Sequence, residues 1–421
     1  MMHDKLKTLK KTTFSLLFLL SAVSLLQAQT TNPFTKVPSG TEYQYLGTYD
    51  LNKMYSIFNK ELEEFLSGGL MTFADFKGQF STPKYPVKLY RVYYNSVIPE
   101  FDNKRTLTSG LVAIPDNGKD SMPMVSYQHG TVFGKDECPS NPDKSMETRL
   151  MIAQFASQGY IVIGADYFGL GVSDMPNSYL VRYSSEQACL DMLYAAKDVL
   201  AALKIKPVSL FLHGWSQGGW TNMTFLRKLE EMNIPVTAAS TASAPVDAFG
   251  TTDRWVNNYQ PIDAVYIPAC FSNYLFALEY YCQMPGFAAT AIRPQYYQTA
   301  KDFYNWKISW TEFRKITGDK VQNMLQPSFM ETGNIGSSNF WQIVEKSDAY
   351  RWRCHTPLNN YYGESDEVVP VYVAKLAEGF HHLMGSGDTH AISAGAKADH
   401  RATYVYSVIH AKPWFDGFLK Q

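Results

Sequence analysis

A serine between two glycines lies near the middle of the chain, in the run Leu210-Phe-Leu-His-Gly-Trp-Ser216-Gln-Gly-Gly219. The apolar residues before it predict a buried strand, and residues 221–231 predict an amphipathic helix. Gly-x-Ser-x-Gly between a strand and a helix is typical of a sharp turn that exposes the serine hydroxyl. A Cβ at position 214 or 218 would collide with the neighbouring strand or helix, which explains the glycines. We therefore interpret Ser216 as a nucleophile rather than as part of a glycine-rich turn.

A serine hydroxyl becomes nucleophilic when a base removes its proton, and the base needs a third group to orient it. After a turn of this kind, the acid and then a histidine follow the serine, each at a strand end. Asp366, in Gly363-Glu-Ser-Asp366, follows a late predicted strand and is the predicted acid, with Glu364 as the alternative. Either carboxylate could also cap the helix that is predicted from Val368.

The base must come from the histidines that follow the acid, which are His381, His382, His390, His400 and His410. His400 directly precedes the last predicted helix, and the stretch from Asp366 leaves room for a helix and a strand. His381 and His382 end a predicted helix, and His410 lies inside one. His400 is therefore the predicted base, His390 is the alternative, and a helix cap is the non-catalytic interpretation of His400.

The charge that develops on a substrate oxygen needs two preorganised N–H donors. We expect one from the amide of Gln217, directly after the nucleophile. The second should come from Gly130 or Thr131, in the loop after the third predicted strand. His129 and His213 precede glycines at strand ends, and we interpret both as structural neighbours of the site.

Strand and helix patterns predict the elements that position these residues. Residues 29–50 are polar and are expected to wrap the surface. Two partly alternating strands, 87–97 and 106–114, predict an antiparallel pair. Apolar strands then alternate with helices to Ala242, and again from Thr356 to the end. This order predicts an α/β fold with a mostly parallel sheet and helices on both faces.

The sequence divides into four parts. Residues 1–28 combine four lysines, a short apolar run and a small residue at the cleavage point, which is typical of a signal peptide. Residues 29–84 form an N-terminal segment, and residues 85–244 and 351–421 form the sheet core. Residues 245–350 carry helical patterns and many aromatic residues without a clear buried strand. We expect this insertion to be a helical cap, or lid, over the carboxyl edge of the sheet.

Composition limits the classes of partner and cofactor. The formal net charge is −1, and loss of the four lysines and one aspartate of residues 1–28 leaves −4, without a strongly basic run. Nucleic-acid binding therefore has little support. No cluster has the spacing of metal ligands, and no cofactor is expected. The predicted signal peptide indicates a secreted or periplasmic protein.

The five cysteines permit disulfides in an exported protein, but the odd number leaves at least one free thiol. Cys189 lies on an apolar helix face and Cys354 precedes a predicted core strand, so we expect both to be free. Among Cys138, Cys270 and Cys282, the sequence does not decide which two would form a bridge.

These motifs together resemble the α/β-hydrolase superfamily, and more narrowly its secretory lipase and esterase group. The matching segments are Val125–Thr131 with Cys138-Pro-Ser140 after it, Asp166–Gly171, Gly214–Gly218, and Gly363–Asp366 with His400 after it. The resemblance spans about residues 85–420, although the cap matches only in position and length. It implies hydrolysis of acyl esters by Ser216, Asp366 and His400 without a cofactor. It also implies a disulfide from Cys138 into the cap.

The predicted function is that of an exported serine hydrolase that cleaves small-molecule or lipid carboxylic esters through an acyl-enzyme on Ser216. The alternative is a serine peptidase of the same superfamily, which the lack of propeller repeats disfavours. A silent member used only for binding would usually lack one of the three catalytic residues, and none is missing.

Aromatic rings of the cap are expected either to hold it on the core or to line an acyl pocket. A peripheral membrane contact through the cap is compatible with both roles. The rings are Tyr266, Phe271, Tyr274, Phe276, Tyr280, Tyr281 and Phe287.

Overall fold

Ten strands form one sheet in the order β1-β2-β3-β4-β6-β5-β7-β8-β9-β10. The computed structural model describes residues 33–330 and 339–419, so the predicted signal peptide lies outside the described residues. The strands are β1 Thr35–Lys36, β2 Glu42–Tyr49, β3 Val87–Ile98, β4 Lys104–Pro115, β5 Ser121–Gln128, β6 Ile161–Ala165, β7 Lys206–Trp215, β8 Ala238–Ala242, β9 Leu358–Tyr362 and β10 Thr389–Ser393.

The sheet has an antiparallel part and a longer parallel part. Strands β1 to β4 pair antiparallel in chain order, and β4 pairs antiparallel with β6. From β6 onward the pairs are parallel, through β5, β7, β8, β9 and β10. The predicted mostly parallel α/β sheet is confirmed. Its parallel strands bring the segments after β5, β7 and β9 to one edge of the sheet.

The first two strands correct the expectation that residues 29–50 only wrap the surface. In β2, only Gln44 is buried, so the strand carries no apolar alternation that a sequence pattern would detect. Its aromatic rings pack on the next strand, with Tyr43 and Tyr45 at ring-centroid distances of 5.9 and 5.5 Å from Tyr90 of β3. The position of β2 is therefore determined by side-chain contacts with β3 and not by an alternation of apolar and polar residues within β2 itself.

Helices cover both faces of the sheet. They are α1 Leu51–Ser56, α2 Leu62–Phe65, α3 Phe73–Phe76, α4 Met146–Gln154, α5 Arg182–Ala202, α6 Gln217–Glu231, α7 Ala248–Asn257, α8 Ile267–Tyr281, α9 Phe287–Ala291, α10 Pro294–Tyr304, α11 Trp310–Thr317, α12 Val321–Met324, α13 Pro327–Met330, α14 Asn339–Lys346, α15 Val371–Leu383 and α16 His400–Leu419. A π-helical turn, Ile57–Glu61, joins α1 to α2. No helix among the described residues has both the length and the apolar character needed to cross a membrane.

Side chains of the central strands point alternately into two apolar cores. In β6, Ile161 and Ile163 belong to one core and Val162 to the other. The first core lies between the sheet and α5, α6 and the residues of the cap. The second lies between the sheet and α1, α2, α4 and α16. A strand that is buried on both faces in this way explains the continuous apolar runs in the sequence.

The described part of residues 245–350 is helical and leaves the sheet between β8 and β9. The two ends of this insertion meet, because the N–H of Ala349 donates to the carbonyl of Val246 at 2.7 Å. Among the helical patterns predicted in this insertion, residues 310–324 form two helices, α11 and α12. The break falls at Gly318, whose φ of 77° is in the left-handed region that favours glycine.

A single carboxylate fixes the chain where it returns from the insertion to β9. Glu230, near the end of α6, accepts hydrogen bonds from the N–H groups of His355 and Thr356 at 2.9 and 2.8 Å. The Thr356 hydroxyl and the Trp352 indole N–H also donate to it, at 2.8 and 3.0 Å. Four N–H and O–H donors therefore depend on one acceptor group.

We expect Glu230→Ala to lower the free energy of unfolding by about 2–4 kcal/mol, because half-buried donors would lose a charged acceptor. Urea unfolding followed by circular dichroism measures the change. The matched control is Glu231→Ala, since Glu231 forms an exposed ion pair with Arg227 on the same helix. That change should cost roughly 0.5 kcal/mol or less. Equal losses in the two variants would contradict this role of Glu230.

Candidate active site

Ser216 lies in a strained turn between β7 and α6. Its φ and ψ are 56° and −122°, a conformation that side chains other than glycine rarely adopt. The N–H of Ser216 donates to the carbonyl of Ala242 at 2.9 Å, which ties the turn to β8. A Cβ on Gly214 would overlap the backbone of Gly218, and one on Gly218 would overlap the carbonyl of Gln128. The predicted collision at both glycines is confirmed.

Ser216, His400 and Asp366 form a continuous hydrogen-bonded chain. The distance from Ser216 Oγ to His400 Nε2 is 2.8 Å. His400 Nδ1 lies 3.0 and 3.1 Å from the two carboxylate oxygens of Asp366. Because Nδ1 faces a carboxylate, it carries the proton, and Nε2 is left to accept the proton of the serine hydroxyl. The side chains of His400 and Asp366 are only 3% and 2% exposed.

The backbone around Asp366 holds its carboxylate toward the imidazole. Asp366 Oδ1 accepts the N–H groups of Val368 and Val369, each at 2.9 Å. Burial alone would raise the pKa of Asp366, but the charge and hydrogen bond of His400 and the N–H of Val369 outweigh it and hold that pKa below its usual value. Asp366 therefore stays ionised beside the ring. The helix that follows begins at Val371 with Pro370 at its N-cap position, so Asp366 stabilises the turn before the helix and is not the helix cap.

His400 is held in place from two further sides. Trp215 packs on the imidazole with ring centroids 5.0 Å apart, and its indole N–H donates to the His400 carbonyl at 3.1 Å. The Glu367 carboxylate accepts the N–H of His400 at 2.9 Å. Burial alone would lower the pKa of His400, but the charge and hydrogen bond of Asp366 raise it above 6.5. No sequence pattern indicated this role of Glu367, since its contact with His400 depends on how the two loops pack.

The alternative residues lie elsewhere. Glu364 accepts the hydroxyl of Ser393 at 2.7 Å, and His390 is an exposed residue 3.5 Å from Asp388. His381 is buried between the Thr389 hydroxyl and the Tyr350 carbonyl, and His410 contacts the Tyr406 carbonyl.

His213 is buried behind the turn, with its Nδ1 2.6 Å from the Ser240 hydroxyl. Burial lowers the pKa of His213 to about 3, so the ring stays neutral. This environment fits the structural role expected for it.

The expected oxyanion donors differ in availability. The N–H of Gly130 already donates to Glu147 Oε2 at 2.7 Å, so it is not free for an oxyanion. Of the two candidates in this loop, Thr131 therefore remains. Within residues 33–330 and 339–419, the N–H groups of Thr131 and Gln217 donate to no partner. Both residues line the same cavity as Ser216.

A cavity of about 220 Å³ opens above Ser216 and His400. The insertion contributes Trp255, Tyr266 and Cys270 to its wall, among other residues. Of the seven cap rings considered above, Tyr266 is the one that lines this cavity. Phe271, Tyr274, Phe276 and Tyr281 are buried in the core, and Tyr280 is 38% exposed. Helical spacing alone could not separate these positions, because α8 is buried around most of its circumference.

All five cysteines are free thiols. The implied disulfide from Cys138 into the cap is therefore wrong. Cys138 is fully buried, and its sulfur lies among atoms of its own turn, 3.6 Å from the Lys135 carbonyl and 3.8 Å from the Ser140 hydroxyl. Cys270 faces the cavity, whereas Cys282 is exposed. No group of three His, Cys, Asp or Glu side chains in the described part of the chain could hold a metal ion.

The ion pair between Asp366 and His400 should be visible in the pKa of the His400 imidazole. The imidazole of His400 should titrate above pH 6.5, and Asp366→Asn should lower its pKa, because the neutral amide no longer favours the imidazolium. Histidine NMR spectra recorded against pH, with His400→Gln to assign the signal, measure the shift. The matched control is Asp388→Asn, which removes an exposed carboxylate near His390 and should leave the His400 titration unchanged. An unshifted His400 in Asp366→Asn would contradict the geometry.

Among known proteins, solved structures resemble this one, whereas the sequence comparisons found no match. No family model matches the sequence. No curated protein matches it either. A proposed hydrolase from Legionella pneumophila superposes with a TM-score of 0.78 at 22% identity, over 90% of this chain and 98% of that one.

Two solved structures of proteins with a described activity are also similar. The rice cell wall degrading esterase LipA from Xanthomonas oryzae has a TM-score of 0.72 at 21% identity, over 90% of this chain and 96% of that one. The closed state of Candida antarctica lipase A has a TM-score of 0.59 at 16% identity, over 79% and 78% of the two chains. At these identities the likeness concerns architecture. The chain has the α/β-hydrolase fold, as its motifs indicated.

Proposed function

We propose that this protein is a serine hydrolase that cleaves carboxylic esters through an acyl-enzyme on Ser216. The observation that carries the proposal is the hydrogen-bonded chain from Ser216 Oγ through His400 to Asp366 at the floor of a cavity. The descriptions of similar structures as an esterase and a lipase support ester bonds as the target.

The geometry suits acyl transfer in two steps. Ser216 Oγ attacks the ester carbonyl carbon while His400 Nε2 takes the hydroxyl proton, and Asp366 stabilises the imidazolium that forms. The carbonyl oxygen becomes an oxyanion, for which the unpaired N–H groups of Gln217 and Thr131 are the available donors. His400 then gives its proton to the leaving alcohol. Water, deprotonated by the same imidazole, hydrolyses the acyl-enzyme.

The walls of the cavity favour an apolar acyl group. Phe133, Leu180, Trp255 and Val368 line it together with Ser216. Burial of an acyl chain against such residues is favourable by about 0.8 kcal/mol per methylene. No feature of the site favours a peptide over an ester, so the peptidase alternative has no separate support.

Export is part of the proposal and rests on residues 1–28. The basic region and the short apolar run are typical of a signal peptide, with cleavage after Ala28. Cell fractionation and N-terminal sequencing of the processed chain would test it.

Ser216→Ala should lose up to about 10⁶-fold in kcat for p-nitrophenyl butyrate, because its hydroxyl forms the covalent bond to the acyl group. Asp366→Asn should lose roughly 10⁴-fold, because the imidazole is left in the wrong tautomer. A fluorophosphonate probe should label the unmodified protein on Ser216, as peptide mass spectrometry would show. Full turnover by a folded Ser216→Ala protein would refute the proposal.

A pair of histidine variants supplies the control. His400→Ala should approach the loss of Ser216→Ala, whereas His390→Ala should stay within about tenfold of the unmodified enzyme, because only the first removes a base. Assays with peptide p-nitroanilides in parallel test the peptidase alternative. Faster turnover of those amides than of the esters would favour it.

The apolar walls predict a dependence on acyl length. We expect kcat/KM to rise from acetate to at least octanoate among p-nitrophenyl esters, by as much as roughly fourfold per methylene where the chain is fully buried. A flat or falling series would instead indicate a small acyl group on a large alcohol, such as an acetylated sugar.

A further inference from the structure

A carboxylate lies beneath the loop that carries the Thr131 amide. Glu147, in the first turn of α4, is 8% exposed and lines the cavity that contains Ser216 and His400. Its Oε2 accepts the N–H of Gly130 at 2.7 Å and the hydroxyl of Tyr127 at 2.6 Å. Its Oε1 has no hydrogen-bond partner among the described residues. The mechanism above gives this buried acid no role.

The next peptide group is held from its other end. His129 Nε2 lies 3.2 Å from the carbonyl oxygen of Asp166, and its Nδ1 lies closer, at 2.8 Å, to the carbonyl oxygen of Gly130. With the proton on Nδ1, the ring donates to the carbonyl of Gly130. In a trans peptide, the N–H of Thr131 points away from that carbonyl. Glu147 and His129 therefore restrain the peptide planes on both sides of Gly130, and these planes set the direction of the Thr131 N–H. The Thr131 hydroxyl is also engaged, 3.0 Å from that of Tyr179.

Space around Gly130 leaves this arrangement little freedom. A Cβ at position 130 would come within 3.1 Å of the Trp215 ring and within 3.2 Å of Glu147 Oε1. Trp215 is the residue whose ring packs on His400. Gly130 thus lies close both to the carboxylate and to the ring that packs on the base, with no room for a side chain between them.

Burying a carboxylate costs desolvation free energy, which a loop contact alone does not require. Burial raises the pKa of Glu147, although the charge of His129 and the hydrogen bonds from Tyr127 and Gly130 oppose that shift. An apolar side chain in this position could pack the same space without the desolvation cost. What an apolar side chain could not do is accept the N–H of Gly130.

We propose that Glu147 is a positioning residue for the oxyanion donors. By holding the N–H of Gly130, it keeps that group out of the cavity and directs the N–H of Thr131 toward the oxygen that becomes charged. This inference rests on the proposed ester hydrolysis by Ser216. Preorganised donors of this kind act on the transition state more than on the bound substrate.

Kinetic measurements distinguish a role of Glu147 in catalysis from a role in stability alone. Glu147→Ala should lower kcat for p-nitrophenyl butyrate by about 10- to 100-fold, part of the roughly 10²- to 10³-fold that loss of one oxyanion donor causes. KM should change by no more than about threefold, because the ground state does not use the donor. Glu147→Gln keeps an oxygen that can accept the N–H of Gly130, and should retain kcat within about fivefold.

A trifluoromethyl ketone gives a second measurement. Ser216 Oγ adds to its carbonyl carbon, the hydroxyl proton moves to His400, and the former carbonyl oxygen becomes the oxyanion of a hemiketal. The affinity for this inhibitor should fall in Glu147→Ala by about the same factor as kcat/KM, as expected for a transition-state analogue. The affinity of butyrate, the product acid, should change little.

Tyr127→Phe is the matched control. It removes the other partner of Glu147 Oε2 and leaves the contact with Gly130, and Tyr127 does not line the cavity. This variant should keep kcat within about threefold even if it unfolds at a lower temperature, because one neutral hydrogen bond mainly affects stability. If Glu147→Ala does not fold, Glu147→Asp serves instead. Its shorter side chain should lower kcat and the ketone affinity together.

Two outcomes would overturn the proposal. One is a Glu147 variant that loses stability but keeps kcat and the affinity for the ketone. The other is an equal loss of kcat in Tyr127→Phe. Failure of the proposed function would look different, because the unmodified protein itself would neither hydrolyse the ester nor form the hemiketal on Ser216.

Discussion

A close approach of backbone to backbone holds the site together. Helix α6 begins so near the ends of β5 and β7 that positions 214 and 218 have no room for a Cβ. Rigid elements therefore fix Ser216 on both sides, and its unusual φ of 56° is imposed by the sheet and the helix. Strain of this kind costs roughly 1–3 kcal/mol and persists only where the surroundings over-determine it. Here the burial of most of β7 and α6 supplies that constraint.

The three carboxylates near His400 lie in different environments. Asp366 faces the imidazole, and the contacts with His400 keep the pKa of this acid low despite its burial. Burial raises the pKa of Glu367 and of Glu147, which contact backbone N–H groups instead. Environments that push the pKa values of nearby acids apart give them separate tasks. One carboxylate compensates the charge on the ring, and the other two hold the backbone of the loops around it.

Local patterns were sufficient for some features and insufficient for others. Strand ends and the order of Ser216, Asp366 and His400 along the chain identified the residues that the fold brings together, because each follows a strand of the same sheet. The strand β2, next to the edge of the sheet, escaped detection because its aromatic rings pack on β3 without apolar alternation along the strand. The free state of Cys138 and the contact of Glu147 with Gly130 depend on how separate loops pack, which no spacing encodes.

The hydrogen bond between Ala349 and Val246 brings the two ends of the insertion together where it leaves the sheet. Since β8 and β9 are already paired in the sheet, with Ala239 opposite Leu358, the insertion does not set their register. The entropy of closing such a loop grows only slowly with its length. The part of the cavity wall that the insertion supplies can therefore change in length or composition without shifting the strand ends that carry Ser216 and Asp366. In such an architecture, substrate range is free to diverge faster than mechanism.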